Sequence, residues 1–303
     1  MTQYSHSRLA SFENCPKRFE YRYVQKLEVD TEGIEAFVGK RVHEILERLY
    51  HHVARHGRPP SLAQVKKRFI EDWALHWHEK IRVVRKENSA GFYQQHGERC
   101  LENYYRSHYP FEDGETVALE KPISLQLDED GRYRLRGIID RLAKQAEGTY
   151  EIHDYKTGSW LPPLSRLDQD RQLALYQIGI EQTFPDIERV ELVWHYLFFN
   201  KTLRSRRTPE QLDGLRSQTI QLIDEIEATN EYRAKPGSLC RWCDYSEICP
   251  QALLDKAGDG GRDDDVISTE PSLTAAGSGP GSGSHATASL LGSDGGVQLS
   301  LLE

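Results

Sequence analysis

Three consecutive stretches of alternating and β-branched residues in the middle of the chain constrain its fold most strongly. They predict strands near 116–127, 132–143 and 149–156. DEDG at 128–131 and AEG at 146–148 separate these strands as tight turns. The sequence therefore predicts an antiparallel meander.

The segments on either side of this meander are predominantly helical. Apolar residues at helical spacing predict an amphipathic helix over roughly 34–56, and residues 61–109 are predicted to be wholly helical. The second segment belongs to an insertion, about 57–112, between the first helix and the first strand. After the meander the pattern predicts a helix at about 166–182, a strand at 191–199 and a helix from Pro209 to about Asn230. This order indicates an α/β protein with a mixed β-sheet flanked by helices.

The composition changes sharply near the C-terminal end. Residues 257–297 are rich in Gly, Ser and Asp and hold too few large apolar groups to offset the entropy of ordering, so they predict a flexible acidic linker. The folded domain is then expected to be 1–256. Residues 257–303 hold seven acids and one base, so most of the formal net charge of −8 lies there. The nearly neutral remainder neither demands nor forbids a nucleic-acid partner.

Hydropathy argues against a membrane protein. The longest apolar stretch, Leu192 to Phe199, is interrupted by His195 and is too short to cross a bilayer. The N-terminal residues lack the apolar core of a secretory signal. We therefore expect a cytoplasmic protein whose five cysteines are not paired in disulfides.

Two acids and a lysine stand close together on the predicted meander. Asp140 and Asp154 come from neighbouring strands, and Lys156 projects to the same strand face as Asp154. Their carboxylates can converge on a hard cation such as Mg²⁺ or Mn²⁺, and an adjacent ammonium suits phosphodiester hydrolysis that leaves a 5′-phosphate. The alternative is a solvated cross-strand salt bridge.

Asp140 followed by Asp154-Tyr155-Lys156 resembles the motif of the PD-(D/E)XK nuclease superfamily. GKRVHEILE at 39–47 and RQLALYQIGI at 171–180 resemble two motifs of its RecB-type branch. The resemblance implies a restriction-endonuclease-like fold. Ile139 precedes Asp140 where the name of the family has proline.

The same resemblance implies a role for each matching residue. His43, Asp140, Asp154 and the Tyr155 backbone carbonyl would hold the metal, and Lys156 would position or activate the attacking water. Gln172 and Tyr176 would contact DNA near the reacting phosphate. Taken singly, His43 is equally typical of a partly exposed helix histidine, and Tyr176 of a core aromatic.

Cysteines near the end of the domain form a second candidate site. Cys240, Cys243 and Cys249 have the spacing C-x2-C-x5-C, and either Cys15 or Cys100 can supply a fourth thiolate. Soft thiolates without histidine fit a 4Fe-4S cluster or zinc.

The sequence around these cysteines resembles that of RecB-type nucleases with an iron–sulfur cluster, such as the AddB nuclease domain and the CRISPR adaptation nuclease. The likeness covers SRLASFENCPKRFEYRYV, which contains Cys15, and the C-x2-C-x5-C-P ending. It implies a 4Fe-4S cluster held by Cys15, Cys240, Cys243 and Cys249, which would join the two ends of the domain. Cys100 would be an ordinary thiol.

The last six residues, 298–303, reverse the polar composition of the linker. Gln298, Leu299, Leu301 and Leu302 resemble the bacterial sliding-clamp-binding peptide. A terminal apolar peptide on a long linker suits docking to a partner. The alternative is a frayed terminus.

Basic and aromatic residues alternate within the insertion. Lys80, Arg82, Arg85 and Lys86 lie near Trp73, Trp77, Phe92 and Tyr93 in the sequence. They predict either a path for a DNA strand or helix-on-helix packing.

Together these features predict a metal-dependent deoxyribonuclease, an exonuclease on single-stranded DNA ends in repair or replication. The sliding clamp is the expected partner, and a helicase is a further candidate. One alternative is a CRISPR adaptation-type nuclease that trims overhangs. Another is a DNA-binding scaffold that does not cleave, although converging buried charges argue against it.

Overall fold

The predicted meander is present, and two further strands extend it on one side. The structure is a computed structural model that describes residues 3–146 and 148–252, apart from the side chain of Leu164. The predicted linker and the candidate clamp-binding peptide lie outside these residues.

The main sheet has five strands in the order β3-β4-β5-β6-β7, in which only β5 and β6 are parallel. A separate pair, β1 and β2, is parallel. The strands are β1 (Glu32–Gly33), β2 (Ile81–Arg82), β3 (Glu115–Gln126), β4 (Arg134–Lys144), β5 (Thr149–Lys156), β6 (Arg189–Tyr196) and β7 (Lys201–Ser205).

Helices cover both faces of this sheet. They are α1 (His6–Asn14), α2 (Pro16–Phe19), α3 (Ile34–His56), α4 (Leu62–His76), α5 (Ala90–His108), α6 (Arg171–Thr183) and α7 (Pro209–Ala228). One apolar cluster joins one face of the sheet to α1, α6 and α7, and a second lies among α3, α4, α5 and the other face. The fold is the mixed α/β, restriction-endonuclease-like arrangement that the sequence predicts. No helix among the described residues has the length and apolarity needed to span a bilayer.

The alternation of side chains on β5 assigns its residues to opposite layers. Tyr150 and Ile152 enter the cluster with α6, so Asp154 and Lys156 face the same way. Tyr155 packs instead in the cluster with α3 and α5. The candidate acids therefore lie at the end of a strand whose remainder is buried.

The insertion is not wholly helical, so that prediction was wrong. Helix α4 ends at His76 and α5 begins at Ala90, where the Ser89 hydroxyl accepts a hydrogen bond from Phe92 N. The intervening residues contain β2, whose partner β1 lies almost fifty residues earlier in the chain. Helical periodicity on both sides concealed this break, because the pairing partner is distant in sequence.

Other helix and strand boundaries also differ from the predictions. The helix predicted from 166 begins at Arg171, because Asp170 caps it and a 3₁₀ turn, Leu164–Gln169, precedes it. Strand β7 was not predicted. It follows Asn200, whose φ of 50° reverses the chain.

Candidate metal centre and cysteine-lined cavity

Strands β4 and β5 separate at the position where the predicted acids lie. The last paired residues are Arg141 and His153. Asp140 is the neighbour of Arg141 on β4, and Asp154 is the neighbour of His153 on β5. Asp140 Oδ2 then accepts a hydrogen bond of 2.8 Å from Tyr155 N. The carboxylate thus takes the place of the next backbone acceptor, and the opening leaves room beside it.

Helix α3 brings His43 to this opening. Its Nε2 donates to the Tyr155 backbone oxygen at 2.8 Å, and its Nδ1 lies 3.5 Å from Asp140 Oδ1. The ring meets the Tyr155 ring edge to face, with centroids 5.7 Å apart. Of the four predicted metal-binding groups, Asp140 and the Tyr155 carbonyl thus both contact His43.

Glu120 is a further acid at this site that the sequence analysis missed. Its Oε1 lies 3.8 Å from His43 Nδ1, and His43, Glu120 and Asp140 offer ligand atoms that all lie within 4.8 Å of one another. Its φ of 42° interrupts β3 between the pairs of Leu119 and Lys121. Pro122 inside the predicted strand was the available signal, since proline marks irregular strands.

The acids determine the charge state of His43. Burial lowers the pKa of His43. The charge and hydrogen bond of Asp140 outweigh this effect, together with a hydrogen bond to Glu120 and the charge of Asp154. The pKa of His43 is therefore well above its usual value. The carboxylates therefore stabilise a positive charge at the position of His43. Such a field favours a positive ion.

Asp154 forms a second group with Lys156 and Gln172. Gln172 Nε2 donates to Asp154 Oδ1 and Gln172 Oε1 accepts from Lys156 Nζ, each at 3.0 Å. Lys156 Nζ also lies 2.7 Å from Asp154 Oδ2, yet that buried oxygen has no partner with hydrogen-bond geometry. Burial raises the pKa of Asp154, as does the charge of Asp140, against the opposing effect of Lys156.

Tyr176 lies one helical turn from Gln172 and packs over Gly137. A Cβ at Gly137 would lie 2.1 Å from Tyr176 Cε1, so only glycine allows the ring this position. Tyr176 and Gln172 line one hollow together with Arg136 and the start of α1. Gln172 and Tyr176, which the sequence resemblance indicated as DNA contacts, thus lie beside Asp154. The sequence analysis did not identify the role of Gly137.

This donor set fits a hard divalent cation. Carboxylate, carbonyl and imidazole groups are ligands that Mg²⁺ and Mn²⁺ accept. Asp154 is outside the group formed by His43, Glu120 and Asp140, and its buried Oδ2 accepts no hydrogen bond. A cation there would satisfy groups that the chain leaves partly unpaired.

The four predicted cluster cysteines line a common cavity. Cys15, at the junction of α1 and α2, faces Cys240, Cys243 and Cys249 there. Cys15 Sγ accepts a hydrogen bond of 3.4 Å from Lys235 N. Cys100 is instead fully buried in the core around α3 and α5, where burial raises the pKa of its thiol to about 12.

The basic and aromatic residues of the insertion have different surroundings. Lys80 pairs with Asp30, and the Arg82 guanidinium donates to the Cys243 backbone oxygen at 3.3 Å. Trp73 is buried and stacks on Trp77. These groups take part in packing, whereas Arg85, Phe92 and Tyr93 line a hollow next to Thr157 and Gly158, so both interpretations of this region stay open.

Comparisons with known proteins agree with this geometry. The profile of the PD-(D/E)XK nuclease superfamily matches residues 3–250. A comparison with curated proteins gives no match.

Among solved structures, the chain is similar to a presumed exonuclease from Eubacterium rectale, with 13% identity and a TM-score of 0.47 over 84% of this chain and 92% of that one. It is also similar to the protein SSO0001, with 16% identity and a TM-score of 0.30 over 82% and 96% of the two chains. The profile match covers well over half of the sequence and includes His43, Asp140, Asp154 and Lys156. The chain belongs to the PD-(D/E)XK nuclease superfamily.

Proposed function

We propose that this protein is a RecB-type, divalent-metal-dependent deoxyribonuclease that acts as an exonuclease on single-stranded DNA ends in repair or replication. One observation carries the proposal. His43, Glu120 and Asp140 converge on one point, and Asp154, Lys156 and Gln172 form a bonded group on the adjoining strand.

The metal ligands in this proposal are His43, Asp140, Asp154 and the Tyr155 carbonyl, to which the geometry adds Glu120. A divalent cation held there would neutralise phosphate charge and lower the pKa of a bound water. Such a cation prefers oxygen ligands, and the carboxylates of Glu120, Asp140 and Asp154 would supply them.

Lys156 positions the attacking water and stabilises the charge that develops on the phosphate. Asp154 and Gln172 hold the ammonium, since each contacts it directly. The water attacks phosphorus in line, the 3′-oxygen leaves, and the product carries a 5′-phosphate. Gln172 and Tyr176 face the hollow through which the strand would approach.

A preference for single strands is supported by the surroundings of the acidic group. One hollow is lined by Gln172 and Tyr176, and another by Lys156 and Trp160. A strand that crosses the site from one hollow to the other would place one phosphate beside Lys156.

We also propose a 4Fe-4S cluster held by Cys15, Cys240, Cys243 and Cys249. In the described residues no three of these sulfur atoms lie within 4.8 Å of one another. Tetrahedral zinc with Zn–S bonds of ~2.3 Å would hold sulfurs about 3.8 Å apart. The resemblance to RecB-type nucleases with an iron–sulfur cluster favours the cluster over zinc, and the cluster would tie α1 to the C-terminal end of the domain. A brown protein that bleaches on reduction supports this assignment, and a colourless protein with stoichiometric zinc contradicts it.

Recruitment by the sliding clamp remains a proposal based on Gln298, Leu299, Leu301 and Leu302. Deletion of residues 298–303 should abolish clamp binding and leave turnover on free DNA unchanged. Clamp binding that survives the deletion would remove this part of the proposal. A helicase is a further candidate partner, to be sought in the same pull-down.

The central experiment uses end-labelled single- and double-stranded oligonucleotides, incubated anaerobically with Mg²⁺ or Mn²⁺ and with either end blocked. We expect metal-dependent shortening of single strands from a free end, which Lys156→Ala abolishes without loss of folding or colour. Lys201→Ala, an exposed lysine on β7, is the matched control. DNA binding without cleavage by the wild-type protein would indicate a scaffold instead.

A further inference from the structure

A large aromatic side chain is exposed a few residues after the candidate catalytic lysine. Trp160 lies four residues beyond Lys156, and 59% of it is accessible to solvent. Burying an indole removes a large apolar area from water, so its exposure forgoes stabilisation. No packing role in the described part of the chain accounts for it.

Trp160 forms one side of a hollow that also reaches Lys156. Pro162, Leu167 and Tyr196 supply further apolar surface, and Arg166 and Lys156 supply positive charge. Asp170 also lines the hollow, and its carboxylate accepts a hydrogen bond from Leu173 N as the cap of α6. The hollow therefore combines apolar walls with two cations and one capped carboxylate, and Lys156 belongs to the group that contains Asp154.

The 3₁₀ turn that forms part of the hollow is held in place by hydrogen bonds. Arg207, on the segment between β7 and α7, donates to the backbone oxygens of Leu167 and Asp170. Ser205 Oγ donates to Asp168 Oδ1 at 2.9 Å. These bonds fix the 3₁₀ turn before α6, so its face of the hollow is formed before a ligand arrives.

The indole itself is restrained on this wall. The Arg166 guanidinium carbon lies 5.5 Å from the centre of the Trp160 ring. Such a cation–π contact orients an exposed ring and covers one of its faces with a positive charge. A planar ligand would therefore stack on the other face of Trp160.

We infer that this hollow binds one unpaired nucleobase of the substrate strand, stacked on Trp160, next to the phosphate at Lys156. This inference rests on the proposed function and adds to it a residue that selects single strands. Bases inside a duplex have both faces covered by neighbouring bases, so they cannot stack on Trp160 without leaving the helix. The free face of Trp160 suits a base, and the Lys156 ammonium that reaches the same hollow suits the neighbouring phosphate.

The test measures binding without turnover. A labelled oligothymidine of about ten nucleotides is titrated in EDTA with wild-type protein, Trp160→Phe and Trp160→Leu. Phenylalanine keeps an aromatic face, whereas leucine keeps an apolar side chain without one. We expect roughly tenfold weaker binding by Trp160→Leu and little change with Trp160→Phe.

Abasic sites then locate the base. An abasic nucleotide moved along the oligonucleotide should weaken wild-type binding most at one position, and at that position Trp160→Leu should cause no additional loss. Equal affinities for all three proteins, losses that simply add at every position, or no binding by the wild type would overturn the inference.

Cleavage assays separate this inference from the proposed nuclease function. If the wild type binds DNA through Trp160 but does not cut it, the base-binding role of the hollow is supported and the nuclease assignment is refuted. If Trp160→Leu cuts single strands with an unchanged KM, the nuclease assignment is supported and the base-binding role of the hollow is refuted. Trp160→Leu should raise KM and leave kcat nearly unchanged, because Trp160 does not touch the reacting atoms.

Discussion

His43 Nε2 lies 2.8 Å from the backbone oxygen of Tyr155, although 112 residues separate the two in the chain. This bond joins α3 to the end of β5 and fixes which ring nitrogen faces the acids. Nδ1 is thereby directed toward Asp140 and Glu120. The geometry of the metal centre thus depends on a contact between two different layers of the fold.

Glu120→Gln should weaken metal binding by roughly tenfold or more, because it removes one charged oxygen ligand from the group around His43. Mn²⁺ titration by calorimetry measures this directly. Glu129→Gln, in the exposed turn between β3 and β4, should bind Mn²⁺ as the wild type does. Equal affinity of the two variants would exclude Glu120 as a ligand.

Glu120→Gly should stabilise the metal-free protein by about 1 kcal/mol. The backbone of Glu120 has a φ of 42°, which strains any residue with a Cβ and which glycine adopts freely. Urea unfolding in EDTA measures the change. A gain in stability together with weaker Mn²⁺ binding would show that the carboxylate is kept at a cost to the fold, whereas a destabilised variant would contradict this explanation.

Gly137→Ala should destabilise the protein by about 1–3 kcal/mol and displace Tyr176. The new methyl would lie 2.1 Å from a ring carbon of Tyr176, and that ring packs on its other sides in a buried layer. In a Tyr176→Ala background the same change should cost much less. If the two effects simply add in this double-mutant cycle, the Tyr176 ring is not the reason that position 137 needs glycine.

Cys240→Ser should reduce bound iron and lower the melting temperature, because the cysteine-lined cavity joins α1 to the C-terminal end of the domain. Cys100→Ser removes a thiol that lies in a different core, so its iron content should match that of the wild type. Iron analysis and thermal unfolding under nitrogen test both variants. Full iron content in Cys240→Ser would refute the ligand assignment.

Stability should fall as the pH drops from about 6.5 to 4. Arg141 donates to His153 Nε2, His153 Nδ1 donates to His195 Nε2, and His195 Nδ1 donates to Thr202, so both rings are neutral in this buried chain. Burial and the charge of Arg141 lower the pKa of His153 from 6.5 to about 4. Within this window the folded state binds fewer protons than the unfolded chain, so His153 alone removes about 3 kcal/mol of stability as pH falls, and no more below pH 4.

Urea unfolding at several pH values measures this dependence. His153→Gln keeps one donor and one acceptor but cannot gain a proton. This variant should flatten the dependence on pH. His51→Gln, on the exposed face of α3, should retain the wild-type dependence, and a loss of slope there would show that other groups are responsible.

Local patterns in the sequence determined most of the secondary structure. The helix predicted over 34–56 coincides with α3, and the three predicted meander strands lie within two residues of β3, β4 and β5. Apolar periodicity depends only on neighbouring residues and the face they share, so a single sequence is sufficient to reveal it. The same alternation placed Asp140 and Asp154 on adjacent strands.

Tertiary structure alone decided which groups meet at the site. Glu120 joins His43 and Asp140 through an irregular residue in β3, Gln172 bridges Asp154 and Lys156, and Trp160 faces Lys156 across a hollow. The break between α4 and α5 likewise depends on a strand partner far away in the chain. These contacts follow from register and helix packing, which combine segments distant in sequence, and no local pattern records where such segments come together.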